Sequence, residues 1–239
     1  IVMHAPKATA NQTQVPIVFE ASEDAPLAQS LVDLRVRHVG RQGKKIEGGF
    51  RQQLDLVYGP PNNRTYYMSS LDRLAVATTK KAPSSIQLLK PATPIVQSGT
   101  MSLKVVAVRD ANYTEAINVR LLTKPPGIGA VSSVTIPANK TEANYSITAN
   151  GSAAVGTWQI AMLGAAKTTR GEVLVSSKLV DLVVEPPYVK VKINMTAIER
   201  GKEGEVICEV EQKRAFAGEA LISLHRSFFI TTYQRGYYF

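Results

Sequence analysis

The sequence is poor in the residues that carry most enzyme and metal chemistry. Its 239 residues include one cysteine, one tryptophan and three histidines. A single cysteine excludes an intrachain disulfide framework. His4, His38 and His225 lie far apart in sequence, and none has the spacing of a zinc motif. Patterns typical of phosphate loops, dinucleotide-binding loops and nucleophile elbows are also missing. We therefore expect no enzyme activity, no catalytic residue, no cofactor and no metal site.

Long apolar runs are missing as well. No run reaches the roughly 18 residues that a membrane-spanning helix needs, so we expect no membrane span. No segment keeps the 3.6-residue period of an amphipathic helix over a full helix length. Short β-branched runs with alternating apolar and polar residues recur instead, separated by turn sequences. This pattern predicts an all-β chain and favours a sandwich of the immunoglobulin type over a barrel.

Acidic residues are the minority charge. The 28 Lys and Arg against 19 Asp and Glu give a formal net charge of +9. One interpretation is attraction to a polyanion, and the other is an ordinary solvated surface. We favour the second, because the basic residues are scattered along the chain. Nucleic acid is not an expected partner, since no recognition helix or aromatic stacking platform is visible.

Internal repeats indicate the architecture. The spacing between the first pair of matching stretches is about 103 residues, as expected for sandwich repeats of about 100 residues. Residues 99–121 match residues 201–224, and residues 1–77 match residues 131–184. Within the second match, 29–36 aligns with 156–163 and 68–76 aligns with 175–183.

These repeats and two proline-rich boundaries, at 90–94 and 185–187, divide the chain into three parts. Residues 1–92 are predicted to be the C-terminal part of an immunoglobulin-like repeat, with strand 85–89 closing it and an insertion at about 40–67. Residues 93–187 are predicted to be a complete repeat. Residues 188–239 are predicted to be the N-terminal part of a third repeat, with a divergent tail after Leu224. The first and last copies are therefore expected to be incomplete.

Two single residues carry predictions about the cores of these repeats. Trp158 alternates with Ile160 and Met162, so it is predicted to be the core aromatic residue of the complete repeat. Cys208 lies in the run 206–210, on the same face as Val206 and Val210. We predict that it is a buried strand cysteine that acts as a small hydrophobic residue rather than as a nucleophile.

Several motifs carry a family resemblance. They are Phe50-Arg-Gln, 56–63, 71–76, 101–106, Pro125-Pro-Gly127, 134–137, 210–213 and 216–219. With these motifs the chain resembles the immunoglobulin-like repeat regions of large secreted bacterial proteins that carry pre-peptidase C-terminal domains. The resemblance covers most of the chain up to about Leu224. It implies tandem sandwiches, an extracytoplasmic location (secreted or cell surface) and no catalytic residues in the repeats.

The insertion at 40–67 is the candidate binding site. Insertions on repeats often form a binding face, although many only pack on their own domain. The residues assigned to ligand binding are Arg41, Lys44, Lys45, Tyr66 and Tyr67.

Seven of the nine asparagines stand in Asn-x-Ser/Thr sequences. Two readings are open: N-glycosylation, or the ordinary abundance of these residues in turns and on solvent faces. Both predict exposure. The seven are Asn11, Asn63, Asn112, Asn139, Asn144, Asn150 and Asn194.

The leading function expected from the sequence is a non-catalytic structural or adhesive repeat segment of a large extracytoplasmic protein. Its partners would be neighbouring repeats of the same protein, and extracellular polysaccharide or cell-surface components. One alternative is a carbohydrate- or polyanion-binding module. Another is an accessory domain of a secreted hydrolase, which needs a catalytic domain elsewhere. No site decides between them, and a fold alone does not fix a function.

Overall fold

All regular structure in the described part of the chain is β-strand, which confirms the predicted all-β class. The structure is a computed structural model, and no helix among its described residues is long and apolar enough to cross a membrane. The chain divides into two compact units, Ile1–Pro186 and Pro187–Phe239. The structure describes residues 1–9, 12–40, 43–194, 200–205 and 207–215.

The first 83 residues form four antiparallel strand pairs rather than one continuous sheet. The pairs are β1–β2, β3–β8, β4–β5 and β6–β7. The strands are β1 (Val2–His4), β2 (Val18–Glu20), β3 (Gln29–Val32), β4 (Arg35–Val39), β5 (Lys45–Gly49), β6 (Gln52–Gly59), β7 (Arg64–Leu71) and β8 (Leu74–Ala77).

Eleven further strands of the first unit form a β-sandwich. One sheet has the order β13-β15-β11-β9, and the opposite layer consists of the sheets β14-β12-β17-β18 and β10-β19-β16. The strands are β9 (Ser84–Leu88), β10 (Ile95–Val96), β11 (Thr100–Arg109), β12 (Ile117–Leu121), β13 (Ile128–Ala130), β14 (Val134–Ile136), β15 (Glu142–Ala149), β16 (Gly156–Ile160), β17 (Met162–Thr168), β18 (Gly171–Ser176) and β19 (Val180–Glu185).

The two layers of this sandwich bury a single apolar core. Alternate residues of β11 and β12 are buried, and they belong to the same hydrophobic cluster. Val105 and Ile117 are both 0% exposed, and full burial of such a side chain contributes about 1.5–3 kcal/mol. Gly164 lets the layers approach closely, because a Cβ there would lie 3.1 Å from Cγ2 of Ile86 in the facing sheet. The alternation seen in the sequence therefore marks the core faces.

Two aromatic residues of the sandwich are buried with their polar atoms satisfied. The hydroxyl of Tyr145 donates to the carbonyl of Val131 and accepts from the amide of Leu121. Trp158 is 8% exposed, and its Nε1 donates to the carbonyl of Ala154 at 2.8 Å. Both aromatic residues belong to the core cluster, so the predicted role of Trp158 is confirmed.

Strand β9 belongs to the sandwich, although the sequence analysis places it at the end of the preceding part. It pairs with β11 in the register Val105↔Leu88 to Arg109↔Ser84. Its residues Ile86 and Leu88 are buried in the sandwich core. The prolines at 91 and 94 separate β9 from β10 within this sandwich. Two closely spaced prolines interrupt ladder hydrogen bonds, but they do not by themselves mark the edge of a domain.

The sequence repeat has a counterpart in strand register. Strand β3 pairs with β8 from Gln29↔Ala77 to Val32↔Leu74. Strand β16 pairs with β19 from Gly156↔Val184 to Gln159↔Asp181. Residue numbers in β16 exceed those in β3 by 127, and residue numbers in β19 exceed those in β8 by 107, as in the alignment of the two stretches. With these offsets, each residue pair between β3 and β8 corresponds to a residue pair between β16 and β19.

The same comparison changes the bounds of the insertion. Hairpin β4–β5 follows β3 as hairpin β17–β18 follows β16, so residues 40–49 have a counterpart in the sandwich. Hairpin β6–β7 has none. It stands between β5 and β8, where the sandwich has only residues 177–179 between β18 and β19. The element without a counterpart is thus residues 50–73. The sequence analysis placed the insertion at about 40–67, because turn residues alone do not show where one hairpin ends and the next begins.

The second unit contains a two-stranded ribbon in its described residues. Strands β20 (Val189–Ile193) and β21 (Cys208–Gln212) pair antiparallel, from Val189↔Gln212 to Ile193↔Cys208. This register coincides with that of β9–β11, with an offset of 105 residues for β20 and 103 for β21. The tail after Leu224 lies outside the described residues.

Cys208 is exposed, so the prediction that it is buried was wrong. Its counterpart in the sandwich is Val105, which the second sheet covers completely. No second sheet among the described residues of this unit covers Cys208. Alternation identified the face on which the cysteine lies, but it does not show whether another layer packs there.

Candidate functional site

Lys44 and Lys45 lie at the turn of hairpin β4–β5 and are exposed. Neither forms an ion pair with a carboxylate in the described part of the chain. The two arginines of strand β4 are paired with nearby carboxylates. Arg37 Nε lies 2.7 Å from Glu47 Oε1, and Arg35 is bound to Asp33 at 2.6 Å. The hydrogen bond with Asp33 raises the pKa of Arg35. Among the described lysines and arginines of this hairpin, those without a carboxylate partner are therefore Lys44 and Lys45.

Tyr66 and Tyr67 lie on strand β7 of hairpin β6–β7 and are 59% and 60% exposed. The hydroxyl of Tyr66 donates to the carbonyl of Pro60 at 2.8 Å, which ties this side chain to the turn of its own hairpin. Tyr67 stands opposite Val57. Each tyrosine thus presents more than half of its surface to solvent.

The structure places the predicted binding residues on two separate hairpins. The lysines belong to the sheet β4–β5 and the tyrosines to the sheet β6–β7, and no strand pairing joins these two sheets. Arg41 lies outside the described residues. The four described residues, Lys44, Lys45, Tyr66 and Tyr67, therefore do not lie on one strand-paired face.

Hairpin β6–β7 also exposes apolar residues that the sequence analysis did not select. They neighbour the two tyrosines on both strands, and each is at least half exposed. Clusters of exposed apolar side chains mark interaction surfaces more often than isolated ones do. The signal in the sequence was the apolar run 56–58, which has no polar residue to mark a solvent face. These residues are Leu56, Val57, Tyr58 and Met68.

Two open hollows lie in the first unit. One, of about 370 Å³, is lined mainly by hairpin β4–β5 and by Asp72 and Arg73. The other, of about 410 Å³, lies between residues 5–9 with Gln12 and the strand pair β16–β19, with Trp158 and Asp181 in its wall. Neither lining includes a histidine or a cysteine. The charged groups of the first are engaged locally, as in the pairs of Asp33 with Arg35 and Asp72 with Arg73.

The titratable residues named in the sequence analysis are dispersed. His4 Nε2 lies 2.9 Å from Glu20 Oε2, His38 is exposed on β4, and His225 lies outside the described residues. No group of three or more His, Cys, Asp or Glu side chains is placed to hold a metal ion within the described ranges.

The asparagines of the Asn-x-Ser/Thr sequences are at the surface wherever the structure describes them. Asn63, Asn112, Asn139, Asn144 and Asn150 are exposed, Asn194 is partly exposed, and Asn11 lies outside the described residues. Two of the side chains are engaged locally. Asn150 Oδ1 accepts a hydrogen bond from the amide of Ser152, and Asn194 Nδ2 donates to Glu209 Oε1 at 3.0 Å. The prediction of exposure is confirmed for the first five.

The ribbon β20–β21 has two faces of opposite character. Lys190, Lys192, Glu209 and Glu211 lie on one face, where lysines stand opposite glutamates across the pair. Val191, Ile193, Cys208 and Val210 lie on the other, and all four are exposed. A sheet with one charged and one apolar face is typical of a strand pair that packs against a second layer.

No protein-family model matches the chain. No curated protein sequence matches it either.

Proposed function

We propose that the chain is a non-catalytic structural segment of an array of immunoglobulin-like β-sandwich repeats, which acts as a spacer in a large extracytoplasmic protein. The observation that supports this proposal is the coincidence of strand register. The pair β3–β8 repeats β16–β19, and the ribbon β20–β21 repeats β9–β11. Similar strand pairs before and after one complete sandwich are what a chain of repeats contains.

The ends of the sandwich are connected in a way that suits a spacer. Strand β10, near its start, runs parallel to β19, at its end, with Ile95↔Val184 and Val96↔Glu185. The amide of Gln97 adds a hydrogen bond to the carbonyl of Glu185 at 2.9 Å. Tension first acts on β9, which pairs with β11, and once β9 detaches it pulls the parallel strands β10 and β19 in opposite directions along their axes. The hydrogen bonds between them then share the load instead of breaking one after another.

Force-extension measurements on the full chain, held between two molecular handles, test this proposal. Unfolding of residues 84–185 releases at most about 3.3–3.6 Å per residue. We therefore expect one resolved force peak followed by a contour-length gain of roughly 300–350 Å. Extension without such a peak would contradict a load-bearing spacer. Replacement of Gln97 with proline removes its amide hydrogen and should lower the peak force.

A second function, binding of an acidic polysaccharide, is favoured by one observation: Lys44 and Lys45 have no carboxylate partner among the described residues. We expect salt-sensitive retention on immobilised heparin, which the double substitution of Lys44 and Lys45 with alanine weakens. The matched control is alanine at Lys190 and Lys192. It removes the same charge from lysines that stand opposite Glu211 and Glu209. Equal loss in both variants would show that net charge alone controls retention.

A further inference from the structure

The Asn-x-Ser/Thr sequences, or sequons, are more frequent than composition explains. With 16 serines and 18 threonines in 239 residues, chance would place only about one of them two positions after the nine asparagines. Seven stand there, whereas none directly follows an asparagine and one stands three positions after. An abundance of these residue types in turns predicts similar numbers at all three spacings. The excess at one spacing therefore favours N-glycosylation.

Asn112 and Asn139 occupy the same position in two β-turns of the sandwich. Turns 110–113 and 137–140 are each closed by a hydrogen bond from the fourth amide to the first carbonyl, at 2.9 and 3.0 Å. Each asparagine is the third residue of its turn. Both are exposed, and neither side chain has a hydrogen-bond partner among the described residues. An exposed turn is a setting in which a glycosyl-transferring enzyme can reach a sequon.

The other described sequons stand in different settings. Asn150 Oδ1 accepts hydrogen bonds from both the amide and the hydroxyl of Ser152, at 3.0 and 3.1 Å, so this serine has a structural use. The side chain of Asn194 is bonded to a glutamate, Asn144 lies within strand β15, and Asn63 lies in the turn between β6 and β7. The sequons of the two turns are thus those of the sandwich whose asparagine is free of a hydrogen bond and outside a strand.

Arg109 holds the two turns at one end of the sandwich. It directly precedes the first turn, and its Nη1 and Nη2 donate to the carbonyls of Lys140 and Pro137 in the second, at 2.7 and 3.0 Å. The amide of Asp110, in the first turn, donates to the carbonyl of Pro83 at 2.9 Å. Both asparagines therefore lie at the end where the chain enters the sandwich.

We propose that Asn112 and Asn139 carry N-linked oligosaccharides, which cover the end of the sandwich next to the linker 78–83. This inference rests on the extracytoplasmic location in the proposed function, because the modification belongs to secreted chains. The donor is an oligosaccharide joined through a diphosphate to a membrane lipid. The asparagine Nδ2 bonds to C1 of the first sugar and gives up one proton to a base of the transferase. The bond from C1 to the diphosphate oxygen breaks, and the lipid diphosphate leaves with that electron pair.

Peptide mapping of the full chain, isolated from its own cells, tests the inference. Enzymatic release of N-glycans in heavy-oxygen water converts each occupied asparagine into a labelled aspartate, which mass spectrometry locates. We expect the label at Asn112 and Asn139. Asn62 and Asn118 have no Ser or Thr two positions after them, so they are internal controls and should stay unlabelled.

Substitution of the sequon hydroxyls separates glycosylation from any other role of the asparagines. Thr114 and Thr141 are exposed, and their side chains make no hydrogen bond to another described residue. In the full chain secreted from a glycosylating host, Thr114→Ala should remove the glycan of Asn112 alone, and Thr141→Ala that of Asn139 alone. Each change should lower the mass by one oligosaccharide. Thr114→Ser and Thr141→Ser keep the sequon and should keep the glycan.

Three results would overturn the inference. The first is absence of the label from either asparagine in the chain from its own cells. The second is a glycan at either position that survives the alanine substitution of its sequon. The third is equal labelling of Asn62 and Asn118, which means spontaneous deamidation. Fractionation of the same cells separates this failure from that of the proposed function. An extracytoplasmic chain with bare asparagines contradicts the inference alone, whereas a cytoplasmic chain contradicts both.

Discussion

Gly127 occupies a position that no larger residue fits. Its φ of +79° lies in the left-handed region, and a Cβ there would lie 2.5 Å from the Cα of Ala153. We expect Gly127→Ala to lower the free energy of unfolding by about 3 kcal/mol, from backbone strain and overlap together. Gly171→Ala is the control, since its φ is +121° but its Cβ would meet nothing within 4 Å. It should cost about 1 kcal/mol. Urea denaturation of both variants measures the difference, and equal losses would contradict the close approach.

The carboxylate of Glu20, on β2, is paired with Lys178, which follows the buried Ser177 between β18 and β19. A hydrogen bond from the Lys178 ammonium, at 2.9 Å, and then one from His4 lower the pKa of Glu20 below its ordinary value of 4.5. Because the pKa of Glu20 is depressed in the folded chain, the ionised carboxylate stabilises the fold at pH values above the pKa that Glu20 has in the unfolded chain. The contribution is lost as the pH falls through the folded pKa.

Replacement of Lys178 with alanine should therefore raise the pKa of Glu20 toward 4.5, as followed by NMR titration of its side-chain carboxyl. Lys167→Ala is the matched control, because Lys167 is exposed on β17 and makes no ion pair among the described residues. An unchanged titration of Glu20 in the Lys178 variant would show that the ion pair does not form in solution.

Single residues also show how far alternation can be trusted. It placed Trp158 in the core correctly and Cys208 wrongly, although both lie on the apolar face of a strand. Alternation reports which residues share a face. Whether that face is covered depends on strands that are distant in sequence, and the residues around Cys208 contain no information about them.

Hairpin β6–β7 is the element without a counterpart in the sandwich, and within the described ranges its strands pair only with each other. We expect that replacing residues 51–72 with a short turn leaves the main thermal transition within about 3 °C of that of the unchanged chain, since no core residue is lost. Calorimetry measures this. A much lower transition, or loss of the transition, would show that the hairpin is part of the fold rather than an addition to it.

Elements were predicted more reliably than the boundaries between them. The run 103–108 lies within β11, and the runs 145–149 and 158–163 fall on β15 to β17. Strand β9 was assigned to the wrong neighbour, because the proline-rich segment 90–94 lies between the first two strands of the sandwich, β9 and β10, instead of preceding the sandwich. Local sequence marks where a strand stops. Its pairing partner, here β11, decides the domain to which it belongs.

At the scale of the molecule, the proposed repeat rests on the alignment of the residues of β3 and β8 with those of β16 and β19. The candidate site was less predictable. Lys44, Lys45, Tyr66 and Tyr67 were chosen as one insertion, but two consecutive hairpins carry them. Proximity in sequence across a turn says little about proximity between two separate sheets. The apolar surface of β6–β7 and the two faces of the ribbon emerged only from burial and register.

The central claim is that residues 84–185 form the complete sandwich of this chain and that its flanking segments are partial copies. Limited digestion with trypsin, followed by mass spectrometry of the resistant fragment, tests this most directly. The exposed Lys81 and Lys190 lie just outside the sandwich, while Lys104 and Arg109 lie within β11. We expect the flanks to be cut first and a fragment of residues 82–190 to persist. Cleavage within β11 as fast as at Lys81, or a whole chain that resists digestion uniformly, would contradict the account.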